Sequence, residues 1–142
     1  MWQGIEGHDA VVEQFRRAIA RGRLASTYLF VGPAGIGKRT FALKLAQTLL
    51  CRANSADDMS PCGRCEACVQ VAAGTYPDVL TVGKPEDRNE IPIEAMVGRR
   101  ERRMQEGLCH DLWQKPLPGS RRIAIIDDAD ALNEESANSL LK

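Results

Sequence analysis

Two different spacings of apolar residues divide the first part of the chain into a helix, a strand and a second helix. Apolar side chains recur at helical intervals from residue 9 to residue 21, and Gly22 follows as a stop signal. Residues 28–31 form a short apolar run that ends in Gly-Pro, which predicts a buried strand. Residues 38–50 are apolar over much of a helical circumference, which indicates a helix packed on a sheet.

The rest of the chain continues this alternation after one interruption. Residues 51–68 are rich in Ser, Asp and Cys and have no period, so we predict an insert there. Beyond it, the pattern predicts strands at 79–82 and 122–127, helices at 93–104 and 133–142 (the latter capped by Asn133), and a turn at 116–119. Strands that alternate with helices predict an α/β fold whose largely parallel sheet is flanked by helices. The last helix has no cap or breaker at its end, which predicts a fragment of a longer domain.

The composition is that of one globular domain and excludes several other classes of protein. The 142-residue chain has 19 basic and 19 acidic residues, so its net charge gives no argument for binding nucleic acid or membranes. The opening residues lack the basic and apolar blocks of a signal peptide, and no apolar run reaches the ~18 residues of a membrane span. A soluble cytoplasmic protein is therefore expected. Its five cysteines are expected to be reduced or bound to metal.

Residues 32–38 read Gly-Pro-Ala-Gly-Ile-Gly-Lys, which matches a phosphate loop placed between a predicted strand and a predicted helix. The glycines let backbone N–H groups turn toward one anion, and the helix N-terminus adds a partial positive charge. The alternative is a glycine-rich turn with a solvated lysine. The residues predicted to contact a nucleotide are Gly32, Pro33, Ala34, Gly35, Ile36, Gly37, Lys38, Arg39 and Thr40.

One position of this loop departs from the pattern. The residue after Lys38 is normally Ser or Thr, whose hydroxyl binds Mg²⁺, but here it is Arg39. Thr40 cannot replace that residue, because one step along a helix turns a side chain by ~100° and lifts it by ~1.5 Å. The loop is therefore expected to hold ATP, ADP or phosphate, whereas Arg39 argues against magnesium-assisted hydrolysis.

The predicted strand 122–127 ends in carboxylates, as the second acidic motif of nucleotide-hydrolysing enzymes does. In those enzymes the first carboxylate supports Mg²⁺, and the next residue, usually Glu, polarises the attacking water. Asp127 fits the first role, but Asp128 is one methylene too short, and a carboxylate set back by ~1.5 Å lowers the rate on the order of 10²-fold. We interpret the motif as degenerate and assign no catalytic residue. The alternative is that these acidic residues merely end a strand at the surface.

Four cysteines within residues 51–68 predict a structural metal site. Two-residue gaps let thiolates turn onto one ion, and four thiolates close a tetrahedral shell that leaves no position for water. The predicted zinc ligands are Cys51, Cys62, Cys65 and Cys68. An iron–sulfur cluster is the alternative, but its motif continues with Cys-x₃-Cys-Pro, which is absent after Cys68. Cys109 is interpreted as a small buried apolar residue.

Two groups of arginines are candidates for contacts with an anionic partner. One lies on or just after the first predicted helix and the other on the helix predicted at 93–104: Arg16, Arg17, Arg21 and Arg23, and Arg99, Arg100, Arg102 and Arg103. They form either solvated helix faces or contacts with DNA backbone or acidic partner surfaces. No aromatic platform accompanies them, so base stacking is not supported.

Over nearly its whole length the chain resembles the bacterial DNA polymerase III clamp-loader subunits of the AAA+ class. Residues 5–8 resemble the family's N-terminal box near the adenine, and residues 23–33 resemble its first strand. The cysteine insert, followed by Gly-Thr-Tyr-Pro-Asp at 74–78, is the most specific feature, and residues 138–142 look like the start of a later helix. The resemblance implies that residues 1–142 are the N-terminal part of an AAA+ nucleotide-binding domain, with a zinc-binding insert at 51–68.

Within that family, Arg39 together with Asp127-Asp128-Ala129-Asp130 resembles the delta-prime kind of subunit. The gamma/tau motor instead has an intact Gly-Lys-Thr loop and an Asp-Glu pair. The resemblance implies a stator that acts with the other clamp-loader subunits in the polymerase (nucleotidyltransferase) holoenzyme. It would help to load the sliding clamp on primed DNA and hydrolyse little or no ATP itself. The alternatives are a gamma/tau-type ATPase motor and a zinc-dependent nucleic-acid-binding adaptor. An arginine finger, in a Ser-Arg-Cys motif, is expected beyond Lys142.

Overall fold

The computed structural model describes residues 2–117 and 121–140, which form two compact units, Met1–Tyr76 and Pro77–Lys142. The turn predicted at 116–119 and the end of the helix predicted at 133–142 fall partly outside the described residues. None of the helices in the described ranges is both long enough and apolar enough to cross a bilayer.

The first unit is helical. Helix α1 spans Asp9–Ala20 and α2 spans Lys38–Leu50, in agreement with the sequence pattern. A short 3₁₀ turn at Ala56–Asp58 and helix α3, Glu66–Ala73, follow within and after the insert. Helix α3 was not predicted, because it begins inside the cysteine motif, between the N-cap Cys65 and Cys68 of its first turn, where the sequence shows cysteine spacing before an apolar period.

An aromatic cluster forms the core of the first unit. Phe41 of α2 lies at its centre, with ring centroids 4.8 Å from Trp2, 5.8 Å from Phe15 and 5.6 Å from Phe30. Met59, from the insert, is almost fully buried in the same cluster. The core therefore joins the N-terminal residues, α1, α2 and the cysteine insert.

The strand predicted at 28–31 is wrong. This segment is not assigned to a strand, and Leu29 and Val31 are 74% and 85% exposed. A strand requires a neighbour that accepts and donates its backbone hydrogen bonds. In the described residues of this unit the one bridge of strand type joins Trp2 and Ile5, so the segment has no strand to pair with. Phe30, which packs against the core, holds it in place.

The second unit contains the sheet. Strand β1, Val79–Val82, pairs in parallel with β2, Ile123–Ile126, with Val79 opposite Ile123 and Val82 opposite Ile126. Its α-helices are short: α4 at Ile93–Val97, α5 at Leu108–Leu112 and α6 at Glu134–Ser139. Two 3₁₀ turns lie at Arg100–Arg102 and Ala129–Ala131. The predicted α/β class, with a parallel sheet, is confirmed.

Two local predictions in this unit had opposite outcomes. Asn133 caps α6, and its side chain accepts a hydrogen bond from Ser136 N at 2.8 Å, as predicted. The helix predicted at 93–104 is wrong in its second half, because it ends at Val97 where Gly98 takes a φ of 92°.

Cys109 is buried with Met96 and Leu108 in the core of the unit, which confirms its interpretation as a small apolar residue.

Candidate metal centre and phosphate loop

The four thiols of the insert converge on one point. The Sγ atoms of Cys51, Cys62, Cys65 and Cys68 all lie within 4.8 Å of one another. Cys68 is fully buried, and the other three are half-buried. A tetrahedral shell with Zn–S bonds of about 2.3 Å has S–S edges of about 3.8 Å. The cluster therefore needs only a small contraction to close around a metal ion.

Backbone N–H groups hold the sulfur atoms in this arrangement. Cys62 N lies 3.4 Å from Cys51 Sγ, Cys65 N lies 3.2 Å from Cys62 Sγ, and Cys68 N lies 3.4 Å from Cys65 Sγ. Gly63, with a φ of 74°, makes the turn between Cys62 and Cys65. Because Cys65 is also the N-cap of α3, the helix starts from the site.

The thiols differ in how readily they ionise. Burial, with a smaller contribution from the neighbouring thiols Cys65 and Cys51, raises the pKa of Cys68 to about 12, although the backbone N–H of Gly63 opposes the rise. For Cys65, burial opposes ionisation, but N–H donors from Arg52 and Cys68 outweigh it and lower the pKa to about 6. Thiolates are the metal-binding form, and a bound cation deprotonates a thiol such as Cys68. The donor set therefore fits a metal that binds sulfur.

Two side chains that the sequence pattern did not identify attach the insert to the rest of the unit. The buried Gln47 of α2 donates from Nε2 to Cys68 O at 2.9 Å. Trp2 Nε1 donates to Met59 O at 2.6 Å. The only signal for Gln47 is a polar residue among the apolar positions of α2, which gives no partner. The cysteine cluster is thus connected to the helix that begins at Lys38.

The predicted phosphate loop immediately precedes α2. Gly35 and Gly37 have φ values of 82° and 100°, which L side chains rarely adopt, and Gly37 is the N-cap of the helix. Lys38 Nζ donates to Gly32 O at 2.5 Å, so the ammonium group lies over the loop itself. Arg39 and Thr40 are exposed on the first turn. A phosphate bound here would compete with Gly32 O for the ammonium group of Lys38.

The acidic motif lies in the second unit, directly after β2. Asp127 N donates to Val82 O at 2.7 Å, which extends the parallel ladder by one bond. Asp128 follows with a φ of 53°, is exposed, and donates its N–H to Asp127 Oδ1 at 3.1 Å. The chain therefore turns away from the strand direction at the position where a hydrolytic Glu is expected.

A buried ion pair in the same unit was not predicted. Asp78, at the start of β1, is almost fully buried, and its Oδ1 lies 3.4 Å from Arg122 Nη1. Asp78 Oδ2 accepts from Leu117 N at 2.9 Å. Arg122 also donates to Pro77 O and Lys115 O, at 3.2 and 3.0 Å. The pair holds the beginnings of both strands together, and Asp78 O also accepts a hydrogen bond from Ile123 N at 2.8 Å.

The parallel sheet, the glycine-lysine loop and the four-cysteine insert define an α/β chain of the AAA+ class. The chain belongs to the family described as "DNA polymerase III, delta subunit", which matches residues 7–142.

Three of the similar proteins are subunits of DNA polymerase III. The chain is 35% identical over 122 residues to DNA polymerase III subunit delta' of Pseudomonas aeruginosa, a match that covers 86% of this chain and 34% of the relative. It is 30% identical to subunit delta' of Bacillus subtilis over 93% of this chain and 36% of the relative. It is 28% identical to subunit tau of Escherichia coli over 97% of this chain and 19% of the relative. The chain thus spans about a third of the length of the delta' relatives it matches.

Proposed function

We propose that the chain is the N-terminal part, residues 1–142, of the AAA+ domain of a delta-prime-like clamp-loader subunit. The observation that carries this proposal is the family match over residues 7–142, together with relatives named as subunit delta'. In this role the protein acts in the cytoplasm and assembles with the other clamp-loader subunits. Through that complex it helps to load the sliding clamp on primed DNA.

The same subunit hydrolyses little or no ATP. Two features support this part of the proposal. Arg39 stands where a hydroxyl would bind Mg²⁺, and Asp128 is exposed with a left-handed backbone where a Glu would polarise water. The loop from Gly32 to Thr40 retains the glycines and Lys38, so it binds a nucleotide or a phosphate group without turning it over. Its contribution to the complex is structural.

The insert at 51–68 binds one structural zinc ion through Cys51, Cys62, Cys65 and Cys68. Support comes from the convergence of the four sulfur atoms and from the all-thiolate donor set, which zinc prefers in closed tetrahedral sites. The metal holds together a mostly polar segment that buries few apolar side chains, among them Met59 and Ala67. Through Gln47, it also fixes the end of the helix that starts at the phosphate loop.

A gamma/tau-type ATPase motor is the second candidate. The observation that favours it is the match to subunit tau over 97% of the chain, together with the retained Lys38. The two candidates differ in whether this subunit itself turns over ATP.

Reconstitution of clamp loading tests the proposal. The intact protein should be combined with purified gamma/tau and delta subunits, and clamp loading on primed circular DNA should be measured with and without it. We expect loading to require the protein. Loading that proceeds at an undiminished rate when the protein is omitted would refute the role.

A further inference from the structure

The segment between α4 and α5 folds into a closed loop that carries four arginines. This arginine loop, residues 98–107, begins and ends at glycines with φ values of 92° and 93°. A Cβ atom built on Gly107 would lie 2.7 Å from the backbone nitrogen of Gly98, which is closer than real Cβ atoms come to other atoms. The backbones at the two ends of the loop therefore lie in direct contact, at a distance that only glycine allows.

Two of the four arginines hold the loop together. Arg99 Nε lies 2.8 Å from Glu106 Oε1, and Arg99 N donates to the same oxygen at 3.1 Å. Arg103 Nη1 donates to Gly98 O at 3.0 Å. The Arg99–Glu106 bonds join the beginning of the loop to its end, and the Arg103 bond joins its middle to Gly98. None of these bonds involves the side chains of the remaining two arginines.

The other two arginines face solvent. Arg100 and Arg102, on the 3₁₀ turn, are exposed, and neither side chain makes a hydrogen bond within residues 2–117 and 121–140. Glu101 lies between them, and Glu106 is engaged by Arg99. The loop has four arginines and two glutamates, so its formal charge is 4 − 2 = +2, in a chain whose net charge is zero. The fold thus presents two guanidinium groups on a closed, locally basic loop.

We propose that the arginine loop binds the phosphate backbone of duplex DNA through Arg100 and Arg102. Guanidinium forks match the geometry of phosphate oxygens, and a backbone fixed in advance lowers the entropy lost on binding. The loop has no aromatic residue on which a base could stack, which favours backbone contacts over base contacts. DNA is favoured over an acidic protein because the chain belongs to a DNA polymerase family. The inference rests on the proposed function and adds to it a contact site for DNA.

The salt dependence of DNA binding tests this site. Binding of the intact protein to a fluorescent duplex should be measured by anisotropy between 50 and 200 mM NaCl. Each phosphate contact contributes about 0.9 to the slope of log K against log salt, so two contacts contribute about 1.8. Over this fourfold range, the wild type should lose about twelvefold more affinity than the R100A/R102A variant. A wild type without measurable binding at 50 mM salt would overturn the proposal.

Three matched variants separate the site from general charge effects. The R21A/R23A variant removes the same charge from exposed positions after α1 and should keep the wild-type slope. R100K/R102K should restore the slope, since lysine also neutralises phosphate. Gly107→Ala keeps every charge but forces the two ends of the loop apart, so it should weaken DNA binding at each salt concentration.

The outcomes also separate this proposal from the proposed function. An unchanged slope in R100A/R102A, in a protein that still supports clamp loading, overturns only the proposed DNA contact of the arginine loop. Loss of DNA binding when zinc is chelated would place the DNA contact in the cysteine insert, and it would also overturn the proposal that the arginine loop binds DNA. An altered slope in a protein that is dispensable for clamp loading would support the loop and refute the clamp-loader role.

Discussion

The buried carboxylate of Asp78, just before β1, pairs with Arg122, just before β2. Removal of this carboxylate should destabilise the second unit more than any surface substitution. Breaking a buried ion pair from one side costs roughly 3–5 kcal/mol. Arg122 is 16% exposed and keeps its bonds to Pro77 O and Lys115 O, which places Asp78→Ala at the lower end, about 3 kcal/mol. Leu117 N also loses its acceptor, a cost contained within that figure.

Native-state hydrogen exchange at the amides of β2 measures this loss in the unit concerned. The amide of Ile123 is the best reporter, because it donates to Asp78 O in every variant. Asp78→Asn, the control, retains an oxygen for Leu117 N and should cost roughly half as much as Ala. If Asp78→Ala lowered the free energy of opening by less than about 1 kcal/mol, the pair would be no stronger than a surface salt bridge, and this reasoning would be refuted.

Three further predictions concern the cysteine cluster and the arginine loop. Protein purified under reducing conditions should contain one zinc ion per chain by mass spectrometry of the metal, and Cys68→Ser should bind less than a tenth of that amount; a zinc content near zero in the wild type would contradict the site. Gln47→Leu leaves Cys68 O without its donor and should lower the free energy of unfolding in urea by about 1–3 kcal/mol. Gln47→Glu should lower it less at low pH, where the protonated glutamic acid can still donate to Cys68 O. The side-chain hydrogen bond of Arg99, its backbone N–H and its charge lower the pKa of Glu106, so the contribution of Glu106 to loop closure is present at neutral pH and is lost as the pH falls below 4.5 toward the folded-state pKa. The Glu106 carboxyl carbon should titrate below 4.5 by NMR, and Arg99→Gln should raise the midpoint toward that value without reaching it, because the backbone N–H of residue 99 and the charge of Arg102 still lower the pKa.

Local signals in the sequence predicted much of the architecture. The bounds of α2 follow from a glycine that can take positive φ before Lys38 and from an apolar run that ends at Leu50. Strands β1 and β2 follow from short apolar runs between polar loops, and the convergence of the four cysteines follows from their spacing alone. In each case, neighbouring residues contain the information that determines the structure.

Features that depend on distant partners were not predictable in this way. Residues 28–31 have the composition of a strand, but strand formation depends on a neighbour that the first unit does not provide among its described residues. The helix expected through residue 104 ends at Gly98 because the glycine contact with Gly107 closes a loop there. Leu117, which donates to Asp78, lies 39 residues from it, and Cys68, which accepts from Gln47, lies 21 residues from it, so no periodicity relates these partners.

The central claim, that this subunit supports clamp loading without hydrolysing ATP itself, is tested most directly by Lys38→Ala in the reconstituted complex. Lys44→Ala, on the same helix but outside the phosphate loop, is the matched control. Steady-state ATP hydrolysis by the complex, measured with clamp and primed DNA present, should stay within about twofold of wild type for both variants, since tenfold effects are typical when a catalytic interaction worth about 1.4 kcal/mol is removed. A fall of tenfold or more with Lys38→Ala, but not with Lys44→Ala, would contradict the claim and identify the chain as a motor subunit.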